Sequence, residues 1–235
     1  MSIAQRAQSL RPARLTPLRT VAGPGSRPLY LAVKRGFDLV VGCVLLLLMA
    51  PLFALVALLV KLSSPGPTFF RQERVGKDGR PFTMTKFRSM YHGVDATAHH
   101  QYFQQYLRGV PAPNEKSTVF KMHSDSRITP VGRHLRRLGL DELPQLLHVI
   151  KGEMSLVGPR PPLAYEVELY EERHKQRLLA KPGVTGLWQV RGRDVVNFES
   201  MVDMDLEYIR NMSLWLDLRI LLLTGPSLLW AFMTK

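Results

Sequence analysis

The hydrophobic pattern separates two long apolar blocks from a middle region of amphipathic stretches. Residues 39–60, LVVGCVLLLLMAPLFALVALLV, carry no charge. A straight helix rising ~1.5 Å per residue over that length just crosses a ~30 Å hydrocarbon core. Length alone predicts a transmembrane helix, but two details pull the other way. Pro51 sits near the middle and frees a backbone carbonyl. Lys34 and Arg35 precede the block, and Lys61, Arg71, Arg74 and Lys77 follow it. The positive-inside tendency then puts both ends in the cytoplasm. A re-entrant helix that dips into one leaflet, bends at Ala50-Pro51 and returns satisfies both details; the pattern leaves spanning and re-entrant forms open. Asp38 is placed to pair with Arg35 or to cap the helix. The second block, 214–233, contains Asp217, Arg219 and Gly225-Pro226, with Trp215 and Trp230 near its two ends. It predicts a helix lying in the membrane interface.

Between the blocks, TFFRQERV and RPFTMTKFRSM flank Gly76-Lys77-Asp78-Gly79, a hairpin signal. Strand alternation puts Lys86 and Arg88 on one face, as a phosphate-facing pair or a solvated edge. Residues 91–120 are polar and irregular; His92, His99 and His100 lack metal-ligand company and read as surface residues. A short basic helix, 131–138, carries Arg133, Arg136 and Arg137. It leads into LDELPQLLHVIKGEMSLVGPRP at 140–161. There Asp141 and Glu142 open an amphipathic helix with Leu143, Leu146, Leu147 and Ile150 on its apolar face. Lys151-Gly152 ends it, and Gly158-Pro159-Arg160-Pro161 forms a stiff turn holding one guanidinium. Residues 164–181 predict a charged helix stopped by Pro182-Gly183, residues 184–190 a short strand, and Phe198, Met201, Val202, Leu206 and Ile209 a further amphipathic helix. The expected organisation is a tail at 1–28, a membrane helix at 29–62, a catalytic region at 63–213 and an interfacial helix at 214–235.

Charge sharpens this picture. The net charge of +13 is uneven: residues 1–35 carry seven Lys or Arg and no acid. The positive excess lies entirely in the first 137 residues. A basic half beside an apolar block favours an anionic bilayer surface as partner. Nucleic acid is disfavoured, since no helix-turn-helix, zinc-finger or aromatic RNA-binding signature is present. Residues 1–28, rich in Arg, Pro, Ser and Gly, read as a disordered basic tail, with a transit peptide as the alternative. The single cysteine, Cys43, rules out an internal disulfide and fits a reducing compartment.

The sequence has no Walker loop, G-x-G-x-x-G, G-x-S-x-G or Cys/His metal set. Candidate phosphate ligands are the scattered cations Lys86, Arg88, Arg136, Arg160, Arg191 and Arg193, each of which is more often a surface charge. Asp141 has an equally plain alternative as a helix N-cap, with Pro144 tolerated in the first turn. Set beside cations on proline- and glycine-fixed loops, however, a carboxylate can attack a diphosphate if a metal and guanidiniums screen the repulsion. Mg²⁺ suits that role, being content with one or two carboxylates plus phosphate oxygens.

Three blocks carry a family resemblance: KFRSM at 86–90, SDSRITPVGRHLRRLGLDELPQLLHVIKGEMSLVGPRPPL at 124–163, and KPGVTGLWQVRGR at 181–193. Together they closely resemble the bacterial monotopic phosphoglycosyl transferases that start exopolysaccharide, O-antigen and capsule repeat units. The match runs from about Lys34 to the C-terminal apolar segment. The resemblance implies a membrane-associated α+β protein, mostly helical, with a re-entrant helix hairpin, interfacial amphipathic helices and a small cytoplasmic catalytic domain at the bacterial inner membrane. It implies transfer of sugar-1-phosphate from a UDP-sugar to undecaprenyl phosphate, with release of UMP. Asp141 maps onto the family's nucleophile and Mg²⁺ contact, and Glu142 onto its dyad partner. Arg136 and Arg160 map near phosphates, and Arg193 ends the Gly-Arg element. Lys86, Arg88 and Glu153 are looser assignments. The family breaks its re-entrant helix at Ser-Pro; here the pair is Ala50-Pro51, which keeps the proline and lacks the hydroxyl. A non-catalytic membrane scaffold that binds lipid phosphates is the alternative function. A homo-oligomer is compatible with the sequence, and no code for the sugar is legible in it.

Overall fold

The computed structural model describes residues 28–93, 127–191 and 197–233, with side chains to residue 227. The basic tail, His99, His100, Arg193 and the Trp230 side chain lie outside the described residues. Helix dominates. The elements are α1 (Pro28–Ser63), β1 (Phe69–Val75), β2 (Pro81–Phe87), α2 (Pro130–Leu138), α3 (Gln145–Lys151), β3 (Ser155–Val157), α4 (Ala164–Glu168), α5 (Glu172–Lys175), β4 (Gly183–Thr185), α6 (Leu187–Arg191), α7 (Phe198–Asn211) and α8 (Leu214–Met233). Strands β1 and β2 form an antiparallel hairpin, and β3 and β4 a separate parallel pair.

The apolar block and its basic approach form one helix, α1, which runs through Pro51. Among the described residues it is the helix long and apolar enough to cross a membrane. Its inner stripe follows the helical period: Tyr30, Phe37, Val41 and Leu45 pack on the main core, and Leu52, Phe53, Val56 and Val60 pack with Phe87 of β2 and Leu135 of α2. Both ends of α1 therefore meet the same body. The opposite face exposes Val40, Val44, Leu47, Leu48, Leu55, Leu58 and Leu62.

Polar contacts at the start of α1 differ from the expected Asp38–Arg35 pair or cap. Asp38 accepts the Leu156 backbone N–H at 3.1 Å. Arg35 donates to the Val149 and Ile150 carbonyls, both at 2.6 Å, closing the exposed end of α3. Lys34 meets Asp217 of α8 at 2.7 Å, and Asp217 also accepts from the Tyr208 hydroxyl at 2.7 Å. Asp217 is the charge that interrupts the C-terminal apolar block; here it is fully buried and paired. One face of α8 thus enters the core through Asp217 and Ile220, while Trp215, Leu218, Leu222 and Leu223 remain exposed.

Several expected elements change in detail. The helix expected over 164–181 is broken into α4, α5 and a 3₁₀ turn at Gln176–Leu179. The break turns Tyr170 inward, where its hydroxyl accepts from buried Arg177 at 2.8 Å. The strand expected over 184–190 stops at Thr185, and the Gln189 and Val190 amides turn back to the Gly186 carbonyl to start α6. The hairpin, the basic helix α2, capped by Thr129, and the amphipathic helix α7, capped by Asn197, stand as predicted.

The parallel pair depends on glycine. A Cβ on Gly158 would lie 2.3 Å from the Lys181 carbonyl oxygen, and one on Gly183 would lie 2.1 Å from the Gly158 amide nitrogen. One on Gly186 would lie 2.6 Å from the Gly158 carbonyl oxygen. Three glycines thus let two backbones touch where only hydrogen atoms fit. Gly183→Ala should therefore cost about 1–3 kcal/mol through overpacking. Gly36→Ala, at a helical site with nothing within 4 Å, should be neutral or mildly stabilising. Thermal unfolding of the detergent-solubilised protein checks the pair; equal melting temperatures would contradict the backbone contact.

Candidate functional site

The two acids singled out by sequence sit on a single 3₁₀ turn, Leu140–Glu142, that follows Gly139 in the left-handed conformation. The α-helix begins only at Gln145, with Pro144 at its N-cap and no side-chain cap bond. Asp141 therefore does not cap α3, and the plain reading of it as an N-cap is removed. The expected apolar face of that helix shifts as well. Leu147 is 40% exposed, while Gln145 and His148 are buried. Each of these two polar side chains has a use: Gln145 lines the cleft below, and His148 ties α3 to the hairpin.

That tie has a defined tautomer. The Thr85 backbone N–H donates to His148 Nε2 at 3.0 Å, so Nδ1 carries the ring hydrogen and donates to Glu153 at 2.7 Å. Glu153 thus acts through His148 on the strand residue next to Lys86.

Six segments converge on an open cleft. Its polar lining is Arg74 from β1, Lys86 from β2, Glu142 from the 3₁₀ turn, Gln145 from α3, Arg160 from the loop after β3, and Gln189 from α6. Lys86 Nζ lies 3.1 Å from Glu142 Oε1, and Arg160 Nη1 lies 3.9 Å from the same oxygen. Asp141, adjacent to Glu142, is buried. Arg74 is 5% exposed and donates to the Pro161 carbonyl at 3.0 Å, while Val75 N–H donates to the Pro162 carbonyl at 2.9 Å. The hairpin therefore holds the Gly158–Pro162 loop, and the glycine contact with β4 holds it from the other side.

Crowding of like charge marks the cleft. Burial pushes the Arg74 guanidinium down to about 10, and neighbouring Arg160 adds to the shift. Burial also lowers the Lys86 ammonium below its ordinary value, with Glu142 as the main opposing influence. Two cations beside one carboxylate, with Arg74 in the same lining, form a site for a multiply charged anion such as a diphosphate.

Arg88 does not join them. Its guanidinium is buried against the end of α1, donating to the carbonyls of Pro65 at 2.6 Å, Ser64 at 2.7 Å and Val60 at 3.3 Å. Arg136 lies in the last turn of α2, half-buried and outside the cleft lining. Arg191 forms an exposed pair with Glu207. Sequence reasoning missed Arg74, Gln145 and Gln189. The only local signals were Arg74 two residues before the hairpin glycine and Gln145 three residues after Glu142.

Among the described residues no three His, Cys, Asp or Glu converge as a ready-made metal cage. The adjacent carboxylates Asp141 and Glu142 nevertheless fit Mg²⁺, which takes one or two carboxylates and completes its octahedron with phosphate oxygens and water.

A family model described as bacterial sugar transferase matches residues 29–231. The exopolysaccharide production protein ExoY of Sinorhizobium fredii is 42% identical over 202 residues, covering 86% of this chain and 87% of its own. The undecaprenyl-phosphate galactose phosphotransferase of Salmonella typhimurium is 41% identical over 199 residues, covering 84% of this chain and 40% of its own. The UDP-glucose:undecaprenyl-phosphate glucose-1-phosphate transferase of Escherichia coli is 40% identical over 200 residues, covering 82% and 39%.

The charge arrangement predicts a titration. Lys86 is a cation whose charged form is disfavoured by burial and supported by Glu142. Removing that anion in Glu142→Gln should move the Lys86 midpoint further down. Acetylation of Lys86 followed by mass spectrometry across a pH series reads it; a midpoint unchanged or raised in the variant would contradict the pairing.

Proposed function

The chain belongs to the bacterial sugar transferase family, and from that premise we propose that it moves a sugar-1-phosphate from a UDP-sugar to undecaprenyl phosphate. The observation that carries this reading is the convergence of Lys86 and Arg160 on Glu142 in a cleft that Arg74 also lines, next to buried Asp141. Sugar nucleotide and polyprenyl phosphate are both phosphate anions, and one cationic cleft serves each in turn.

The transfer runs in two displacements. A carboxylate oxygen of Asp141 attacks the phosphorus that bears the sugar; the bond from that phosphorus to the bridging oxygen breaks, and UMP leaves with the bonding pair. The phosphate oxygen of undecaprenyl phosphate then attacks the same phosphorus. The bond to Asp141 breaks, the carboxylate is restored, and undecaprenyl-diphospho-sugar departs. Lys86, Arg160 and Arg74 screen the negative charge that builds up in each step. Glu142 holds two of these cations in place and keeps their mutual repulsion in check. Asp141 would hold Mg²⁺, which when bound supplies further screening of the phosphate oxygens.

The membrane arrangement supports the same reading. Helix α1 meets one body with both ends and turns an uncharged, mostly leucine and valine face outward. That favours a re-entrant helix with Pro51 at the bend, both ends on the cytoplasmic side of the inner membrane and the cleft near the headgroups. A lipid phosphate and a soluble UDP-sugar meet at that level.

Purified protein in nanodiscs with UDP-glucose or UDP-galactose, Mg²⁺ and undecaprenyl phosphate should release UMP. Asp141→Asn should lower the rate by at least ~10³-fold, the scale of losing a nucleophile. No UMP from any UDP-sugar would return the chain to a non-catalytic, lipid-binding scaffold; full activity in Asp141→Asn would remove the nucleophile assignment.

A further inference from the structure

The cleft holds a group that phosphate does not need. Gln189 is 6% exposed and lines the cleft, and its side-chain carbonyl oxygen is buried with no hydrogen-bond partner. A buried acceptor without a donor costs about as much as a lost hydrogen bond, so such atoms are rare in folded proteins. It is also firmly placed. The backbone N–H of Gln189 donates to the Gly186 carbonyl at 3.1 Å. A Cβ at Gly186 would lie 3.2 Å from the Gln189 Oε1, so the missing side chain at residue 186 gives that oxygen its room. Gly186 in turn sits against Gly158, at the head of the loop that carries Arg160. The acceptor and the cationic side of the cleft are thus built on one backbone contact.

The chemistry of the site decides what this oxygen meets. A diphosphate offers only acceptors at neutral pH, and its partners are the three cations. A carbonyl oxygen needs a donor. The donors on a UDP-sugar are the hydroxyls of the transferred sugar, the ribose hydroxyls and the uracil N3–H. The transferred sugar is bonded directly to the phosphorus that Lys86, Arg160 and Arg74 would screen, whereas the nucleoside lies beyond the leaving phosphate. Gln189 lines the same cleft as those cations, which puts its oxygen on the side of the sugar. We propose that Gln189 is a specificity residue whose side-chain carbonyl accepts a hydrogen bond from one hydroxyl of the transferred sugar.

This rests on the transferase reading, and the test separates the two. The probes are UDP-glucose, UDP-galactose and their singly deoxygenated sugar analogues, with UMP release as kcat/KM in wild type, Gln189→Met and Gln189→Glu. In the wild type one deoxy analogue should be about 10- to 100-fold poorer than its parent, the scale of an unpaired buried acceptor. In Gln189→Met the parent should fall to the level of that analogue, so that their ratio approaches one. Gln189→Glu keeps an acceptor, so the ratio should be retained or rise. Affinity for UMP, measured by calorimetry, should stay within about twofold in both variants, as sugar recognition requires. A Met variant that weakens parent and analogue equally overturns the proposal. So does lost UMP affinity with sugar discrimination intact, which would assign Gln189 to the nucleoside. Should Gln189→Met not fold, Gln189→Glu carries the test alone, and collapse of its ratio to one overturns the proposal. UMP release by wild type without this pattern leaves the transferase reading standing; no release from any UDP-sugar removes both.

Discussion

The site depends on one close approach between two stretches of backbone. Gly158 stands against Gly183 and Gly186 at separations that leave no space for a Cβ. This contact lets β3 and β4 pair in parallel over only three residues each. The loop after β3 carries Arg160, and the helix after β4 carries Gln189, so the two walls of the cleft are fixed by what the glycines lack. Prolines on either side, Pro159, Pro161 and Pro182, stiffen the same segments. The hairpin closes the arrangement through Arg74 and Val75, which bond the Pro161 and Pro162 carbonyls.

A second constraint places this cleft relative to the apolar helix. The start of α1 is held by Lys34 on Asp217, Arg35 on the end of α3 and Asp38 on β3. Its end is held by Arg88, which bonds the Val60 carbonyl in the last turn and the Ser64 and Pro65 carbonyls just beyond it. Lys34 and Asp217 are nearly without solvent contact, so losing one strands the other, at a cost of about 3–5 kcal/mol. Charges are thus spent on fixing an apolar helix along a small body. Its exposed leucines and those of α8 supply surface suited to lipid, and the reacting groups stay with the polar body.

Much of this was legible in the sequence, and what was not has physical causes. The long blocks around Asp141 and Gly158 carried the family, and their glycines and prolines marked the loops that matter. Hairpin, basic helix and amphipathic α7 followed from turn residues, caps and period. The face of α3 was misjudged because a polar cleft and the hairpin claim Gln145 and His148, an effect no periodicity encodes. Strand alternation pairs Arg88 with Lys86, but the carbonyls at the end of α1 claim its guanidinium. Arg74 and Gln189 escaped notice because their role comes from burial beside residues distant in sequence. The use of Asp217 in an apolar helix is not legible locally, because its partner Lys34 lies 183 residues away.

In the proposed transfer, Asp141 is the group that takes the phosphosugar. Intact-mass spectrometry of the protein in nanodiscs, incubated with UDP-sugar and no lipid acceptor, addresses it directly. A mass gain of one sugar phosphate, mapped to the peptide containing Asp141 and discharged on adding undecaprenyl phosphate, is the predicted result. Lipid-linked product formed at full rate with no such adduct on the protein would contradict it, leaving direct transfer between the two substrates.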